Sequence, residues 1–232
     1  MERLITFIVA LAIGLVLGAL SACAPSTFLP FETRANAARD ATAIIIGYSD
    51  SRDLRTAGTA FAVAPGYFAT AWHVVDNTDL HYRIDGQRAT VVFHDEANDT
   101  AVLSVPVTTD HTPLPVDCDR TWPEFATPLL TYGFNDGIRR NDNHRGMLLE
   151  AYVASDWRHA NPTMGYNFTV GGTIVNPGAS GGAWVDDTGR AVGIVSMTER
   201  FLNRGSFPPS AMATVVSYAA PVFALCTWLE RQ

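Results

Sequence analysis

Thr173-Ile174-Val175 followed by Asn176-Pro177-Gly178-Ala179-Ser180-Gly181-Gly182 is a β-branched segment running into a glycine-rich turn with one hydroxyl at its centre. Glycine two residues before the serine lets backbone N–H groups converge on a single point, as an oxyanion hole requires, and the glycines after it allow close approach of a substrate. Glycine-serine turns also serve as plain connections, so the rest of the chain decides how this one is read.

Upstream, Gly58-Thr59-Ala60-Phe61-Ala62-Val63-Ala64, Pro65-Gly66 and Tyr67-Phe68-Ala69-Thr70-Ala71 read as strand, turn and strand, followed by a short turn carrying His73. Asn98-Asp99-Thr100-Ala101-Val102-Leu103 then sets an acid at the mouth of an apolar strand. The chain order is His, Asp, Ser. A serine hydroxyl is a weak nucleophile until an imidazole takes its proton, and the imidazole needs a carboxylate to fix its tautomer and stabilise its cation. Asp76 is close enough in sequence to compete as the partner of His73, but it shares the same turn, and Asp99 is preferred. α/β-Hydrolases and subtilisin-type proteins carry these groups in other orders.

Three blocks, Gly58-Thr59-Ala60-Phe61-Ala62-Val63 with Ala69 to Asp76, Asn98 to Leu103, and Asn176 to Val185 with Asp186 to Ser196 behind it, resemble the trypsin-like serine peptidases, and among them the bacterial HtrA (Deg) type. The likeness runs from about Ala41 to Leu229, but only these blocks are specific. It implies His73 as general base, Asp99 as its orienting carboxylate, Ser180 as nucleophile and the amides of Gly178 and Ser180 as the oxyanion hole. It also implies that a peptide lies along Val195-Ser196-Met197-Thr198, with Ser196 supporting Asp99. Thr198 stands where a glycine would admit large side chains. With Ile174 near the pocket base, it suggests a small or medium apolar residue before the scissile bond.

The chain departs from the family in two places. Ala179 precedes the nucleophile where digestive enzymes have aspartate and HtrA-type enzymes usually asparagine. Alanine accepts no salt bridge, so activation by a newly cut N-terminal ammonium lacks its partner. After the last block only Phe201 to Gln232 remain, too few for the PDZ domain common in HtrA-type proteins.

The expected fold is all-β, two six-stranded antiparallel barrels with a C-terminal helix. Barrel one covers about residues 41–107, with strands at Thr42–Tyr48, Gly58–Ala64, Tyr67–Ala71, His81–Ile84, Arg88–His94 and Thr100–Val105. A proline-rich link follows over 108–123. Barrel two covers about 124–216, with strands at Pro128–Tyr132, Arg145–Ala154, Asn167–Val170, Gly182–Val185, Ala191–Ser196 and Met212–Val216, and Asp187-Thr188-Gly189 as a hairpin turn. Apolar residues at Tyr218, Val222, Leu225 and Leu229 predict a helix over Ser217–Glu230.

Residues 1–22 hold an apolar run closed by small residues and read as an export signal. Leu20-Ser21-Ala22-Cys23 resembles a bacterial lipobox, which implies a lipid on Cys23 and a domain on the outer side of a membrane. A single membrane-spanning helix over Leu4 to Ala22 is the alternative. Residues 23–40, mixing proline, small and charged residues, read as a tether.

Composition is compatible with one domain: 232 residues, 47% hydrophobic and 17% charged. The net charge of −7 argues against nucleic acid as a partner. All 16 basic residues are arginine, which excludes Ser-Lys dyads, Schiff bases and a phosphate loop with its lysine. His81, His94, His111, His144 and His159 lack metal-ligand spacing, so neither metal nor cofactor is expected. Arg139-Arg140 reads as solvated surface. Cys118 and Cys226 either pair in an oxidising compartment or remain two buried thiols. A membrane-tethered endopeptidase acting on polypeptides is the expected function, with a catalytically silent peptide-binding adaptor or an esterase as alternatives.

Overall fold

The computed structural model describes residues 28–106, 110–119, 123–134, 146–155, 168–173, 175–201 and 214–232, without the side chains of 155, 197–201 and 214–216. Residues 1–27, with Cys23, lie outside this set, as do Ile174, His144, His159 and the Arg139-Arg140 pair.

Among the described residues twelve strands close into two barrels. Barrel one holds β1 (Thr42–Tyr48), β2 (Leu54–Ala64), β3 (Tyr67–Thr70), β4 (His81–Ile84), β5 (Gln87–Asp95) and β6 (Thr100–Ser104). Barrel two holds β7 (Pro128–Phe134), β8 (Gly146–Ser155), β9 (Phe168–Gly171), β10 (Ala183–Val185), β11 (Ala191–Phe201) and β12 (Thr214–Pro221). Neighbours run β1-β2-β3-β6-β5-β4 in the first and β7-β8-β9-β12-β11-β10 in the second, so both barrels share one topology. Among the described residues every strand of each barrel has a paired neighbour on both sides over part of its length.

The alternation of side chains explains the register. In β4, Tyr82 and Ile84 point into the barrel while His81 and Arg83 face solvent. Asp85 (φ 46°) and Gly86 (φ 81°) turn the chain straight into β5, with Ile84 opposite Gln87. Positive φ at both central residues gives a two-residue hairpin of the primed class, which Asp-Gly favours. In β2, residues 58–63 are buried on both faces, because its outer side lies under other parts of the chain. Leu114 of the link, for example, donates its amide to the Ala62 carbonyl at 2.9 Å.

Residues 31–40 of the expected tether, with Ala41, instead form helix α1 (Phe31–Ala41). Alanine at 35, 37, 38 and 41 favours helix and lets it lie flat on the barrels, with Ala38 and Ala41 buried. The Leu29 amide donates to the Asp187 carbonyl at 2.9 Å, and an Arg34 guanidinium N–H reaches the Asp186 carbonyl at 3.4 Å. A second correction concerns the C-terminal helix. α3 covers only Phe223–Leu229, while residues 217–221 complete β12. Ser217 and Tyr218 pair with β11 on one side and β9 on the other, and two ladders outweigh the helical spacing of the apolar residues. Between β3 and β4, residues Trp72–Val75 form the short helix α2.

The link is stitched to both barrels. Val116 bridges Ala191 in parallel, and His111 lies between the Asp40 carbonyl (3.1 Å) and the Asp85 carboxylate (2.5 Å). Cys118 and Cys226 form a disulfide with Cα atoms 5.5 Å apart, joining link to α3 across a separation of 108 residues. Closing a loop of that length contributes about 5 kcal/mol in the chain-entropy account. Replacing both cysteines by serine is therefore expected to lower the denaturation free energy by about that amount, read from a urea unfolding curve.

Candidate active site

His73 sits in α2, directly after β3 delivers the chain to the barrel mouth. Asp99 immediately precedes β6, the strand paired with β3, in a turn closed by its own amide on the Glu96 carbonyl (3.2 Å) and by Asn98 on the Asp95 carboxylate (2.6 Å). Its φ of 44° is left-handed, a conformation that aspartate tolerates better than most residues. This places the carboxylate against His73 twice. The His73 amide donates to Oδ1 at 2.9 Å, and ring Nδ1 lies 3.1 Å from Oδ1 and 2.9 Å from Oδ2. With its proton on Nδ1 the ring leaves Nε2 as a base.

Barrel two supplies the third donor. β11 carries a bulge at Ser196, because Val195 pairs with Ala219 while Met197 pairs with Tyr218. A bulge re-aims the side chain at the extra residue. The Ser196 hydroxyl donates to Asp99 Oδ2 at 2.5 Å, and its carbonyl accepts from the Ser180 hydroxyl at 3.3 Å. Ser196 thus joins the carboxylate of barrel one to the hydroxyl of the glycine turn.

Burial disfavours the charged forms of both groups, but their mutual contacts outweigh it. For His73 the Asp99 hydrogen bond and charge, with the charge of Asp76, hold the ring above its ordinary 6.5. For Asp99, hydrogen bonds from the His73 ring, Ser196 and the His73 amide, together with the His73 charge, hold the carboxyl below its ordinary 3.8. The His73 side chain is 46% exposed against 15% for Asp99, so the base stays accessible while its partner is shielded.

The glycine turn is pinned from both sides. The Gly181 amide donates to the Val195 carbonyl at 2.7 Å, and the Val195 amide to the Gly182 carbonyl at 2.8 Å. Gly181 has φ 91°, and a Cβ there would lie 2.1 Å from both the Thr59 carbonyl oxygen and Thr70 Oγ1. Only glycine fits. The amides of Gly178 and Ser180 meet no protein acceptor among the described residues, whereas those of Ala179 and Gly182 are used within the turn. Ala179 itself is buried in the core of barrel two, among residues such as Leu129 and Trp184.

One matching family model, that of the trypsin-like peptidase domain, covers residues 58–194. The chain belongs to this family. Among solved structures, a serine endoprotease from Yersinia pestis is similar with TM-score 0.61 and 20% identity, over 88% of this chain and 66% of that one. An HtrA-type protease solved with a tripeptide gives TM-score 0.65 and 18% identity, over 87% and 63%. The likeness at this identity is one of fold, and the peptidase domain spans about two thirds of the length of these proteins. No curated protein sequence matches it.

Of the remaining expected site residues, Met197 and Thr198 lie on β11 beyond Ile194, the last residue of that edge paired with β10. There β11 pairs with β12 alone among the described strands, which leaves its other edge open. His81 and His111 face Asp50 and Asp85, and His94 stacks on Trp72 with ring centroids 4.2 Å apart.

Thr59 is the residue whose part the sequence does not reveal. It is fully buried, and its hydroxyl donates to the Gly178 carbonyl at 2.7 Å while accepting the Phe134 amide at 3.0 Å. Its own amide donates to the Ser180 carbonyl at 2.8 Å, and its carbonyl accepts Thr70 Oγ1 at 2.7 Å. A threonine of barrel one thereby orients the peptide units around Ser180. Thr59→Val keeps the shape but leaves a buried N–H and C=O unpaired. It is expected to cost about 1–3 kcal/mol of stability and to lower kcat more than it changes KM, with Thr59→Ser restoring both.

Proposed function

We propose that this chain is a serine endopeptidase of the bacterial cell envelope that cleaves polypeptides through an acyl-enzyme. The observation that carries the reading is the hydrogen-bonded series His73, Asp99, Ser196, Ser180, which spans the two barrels. In this mechanism His73 Nε2 takes the proton of Ser180 as Oγ attacks the scissile carbonyl, then passes it to the leaving amine. Water deacylates the serine by the same route in reverse. Asp99 stabilises the imidazolium, and the Gly178 and Ser180 amides receive the oxyanion.

A substrate strand added along Met197-Thr198 also has a role in activation. The Ser196 carbonyl, which now accepts the Ser180 hydroxyl, becomes an acceptor for a substrate N–H, and the freed hydroxyl turns to His73. The residue types at 174 and 198 favour a small or medium apolar side chain before the scissile bond, and Ala179 means that no new N-terminus is needed for activity. Cys23 carries the lipid that holds the domain at the membrane. Among the described residues no helix is long and apolar enough to cross one.

Casein and an ester substrate test the reading together. The proposal expects casein hydrolysis by the full chain and none by Ser180→Ala. Ester turnover without casein cleavage identifies an esterase, and peptide binding without any turnover identifies an adaptor. Loss of lipid labelling in Cys23→Ser is the expected result for the anchor.

A further inference from the structure

On the outer face of barrel one, two adjoining concavities of about 580 Å³ and about 390 Å³ share His81, Tyr82 and Arg88 and form one trough. Its basic end is lined by Arg52, Arg83 and Arg88. Its apolar end is lined by Trp72, Leu80 and Val91, with His94 stacked on the Trp72 ring.

The basic end sets three arginines against one lining carboxylate. Arg83 and Arg88 stand directly opposite each other across β4 and β5, a like-charge pairing that destabilises a sheet. Among the described residues no carboxylate pairs with Arg52, Arg83 or Arg88. Arg83 donates instead to the Gly86 carbonyl at 2.9 Å. The carboxylate lining this end, Asp50, is engaged by His81 Nε2 at 2.9 Å. Arginines elsewhere do find acids: Arg39 with Asp40, Arg55 with Asp53, and Arg190 with Asp117 and Asp119. Arg52 is held in place by an ordered turn, with φ 63°, its amide on the Ser49 carbonyl (2.8 Å) and the Ser49 amide on the Asp53 carbonyl (3.0 Å). In a chain of net charge −7 this is a local site for an anion.

We propose that the trough is an exosite for an extended polypeptide segment in which an apolar residue is followed by acidic ones. The apolar residue packs at Trp72 and Leu80, and the carboxylates lie between Arg83, Arg88 and Arg52. This rests on the peptidase reading, because the trough begins at Trp72, the residue before His73. A bilayer is the poorer occupant, because the site is a concave trough that a flat surface does not fill.

The test uses the full chain inactivated as Ser180→Ala and a fluorescein-labelled peptide with a Leu-Phe pair followed by a run of aspartates, read by fluorescence anisotropy. The acidic peptide is expected to bind, and to weaken about tenfold or more in R83Q/R88Q and in high salt, while R83K/R88K keeps binding. The same peptide with asparagines in place of aspartates is expected to fail on the unaltered surface, a control that does not depend on the variant folding. Equal binding of the two peptides overturns the proposal, as does unchanged affinity in R83Q/R88Q. So does arginine-dependent binding to phosphatidylglycerol vesicles without binding to the peptide. Fluorophosphonate labelling of the wild-type chain is read separately. Labelling without peptide binding removes the exosite alone, and peptide binding without labelling removes the peptidase reading alone.

Discussion

Ser180→Ala is expected to lower kcat toward peptides by about six orders of magnitude while leaving the thermal midpoint almost unchanged. The large loss follows from the absence of a substitute: Ser180 lies between Ala179 and Gly181, and the chain has no lysine to act as an alternative nucleophile. The small structural cost follows from the hydroxyl's one weak contact among the described residues, 3.3 Å to the Ser196 carbonyl, which is worth about 1 kcal/mol or less. Steady-state kinetics at saturating substrate, with a melting curve for each protein, checks both halves. A variant retaining within about tenfold of the original kcat contradicts the assignment of Ser180.

Asp99→Asn is expected to lower kcat by about four orders of magnitude. Three donors converge on the carboxylate: the His73 ring, the His73 amide and the Ser196 hydroxyl. An amide has one acceptor oxygen, so its NH₂ faces a donor or forces the imidazole into the wrong tautomer. The pH profile carries a second signature. The ring must be neutral to act as a base, and Asp99 helps hold its pKa above 6.5, so wild-type kcat/KM rises with pH through a midpoint above that value. In the asparagine variant this midpoint moves down.

The same contacts set the pH dependence of stability. His73, raised in the folded state, contributes stability that is full below 6.5 and lost as pH rises through the folded value. Asp99, lowered in the folded state, contributes stability that is present above 3.8 and lost as pH falls through its folded value. Denaturant unfolding across this range is expected to show both losses in wild type and to lose the acid-side one and much of the His73 share in Asp99→Asn, while the share of His111, raised by its own contact with Asp85, remains.

Much of the architecture was legible because barrel strands obey short-range rules. β1 and β4 have the bounds that alternation and turn residues predict, and the Asp187-Thr188-Gly189 turn joins β10 to β11, with Gly189 at φ 83°. The three chemical groups were legible from their order along the chain. What escaped depends on contacts distant in sequence. Residues 31–41 fold as α1 because the barrels offer a surface for its small residues, and residues 217–221 extend because β11 pairs along them and β9 flanks 217–219. Thr59 reads as an ordinary strand threonine until β7 and the glycine turn are brought to its hydroxyl. The bulge at Ser196 depends on a register that only pairing with β12 defines.

The most direct test of the account is the mass of the intact protein after brief exposure to a fluorophosphonate, with the adduct located by peptide mapping. The account predicts one adduct, on Ser180, formed faster as pH rises past the raised His73 value and lost in His73→Ala. No adduct on Ser180, or one that forms equally fast without the imidazole, would contradict it.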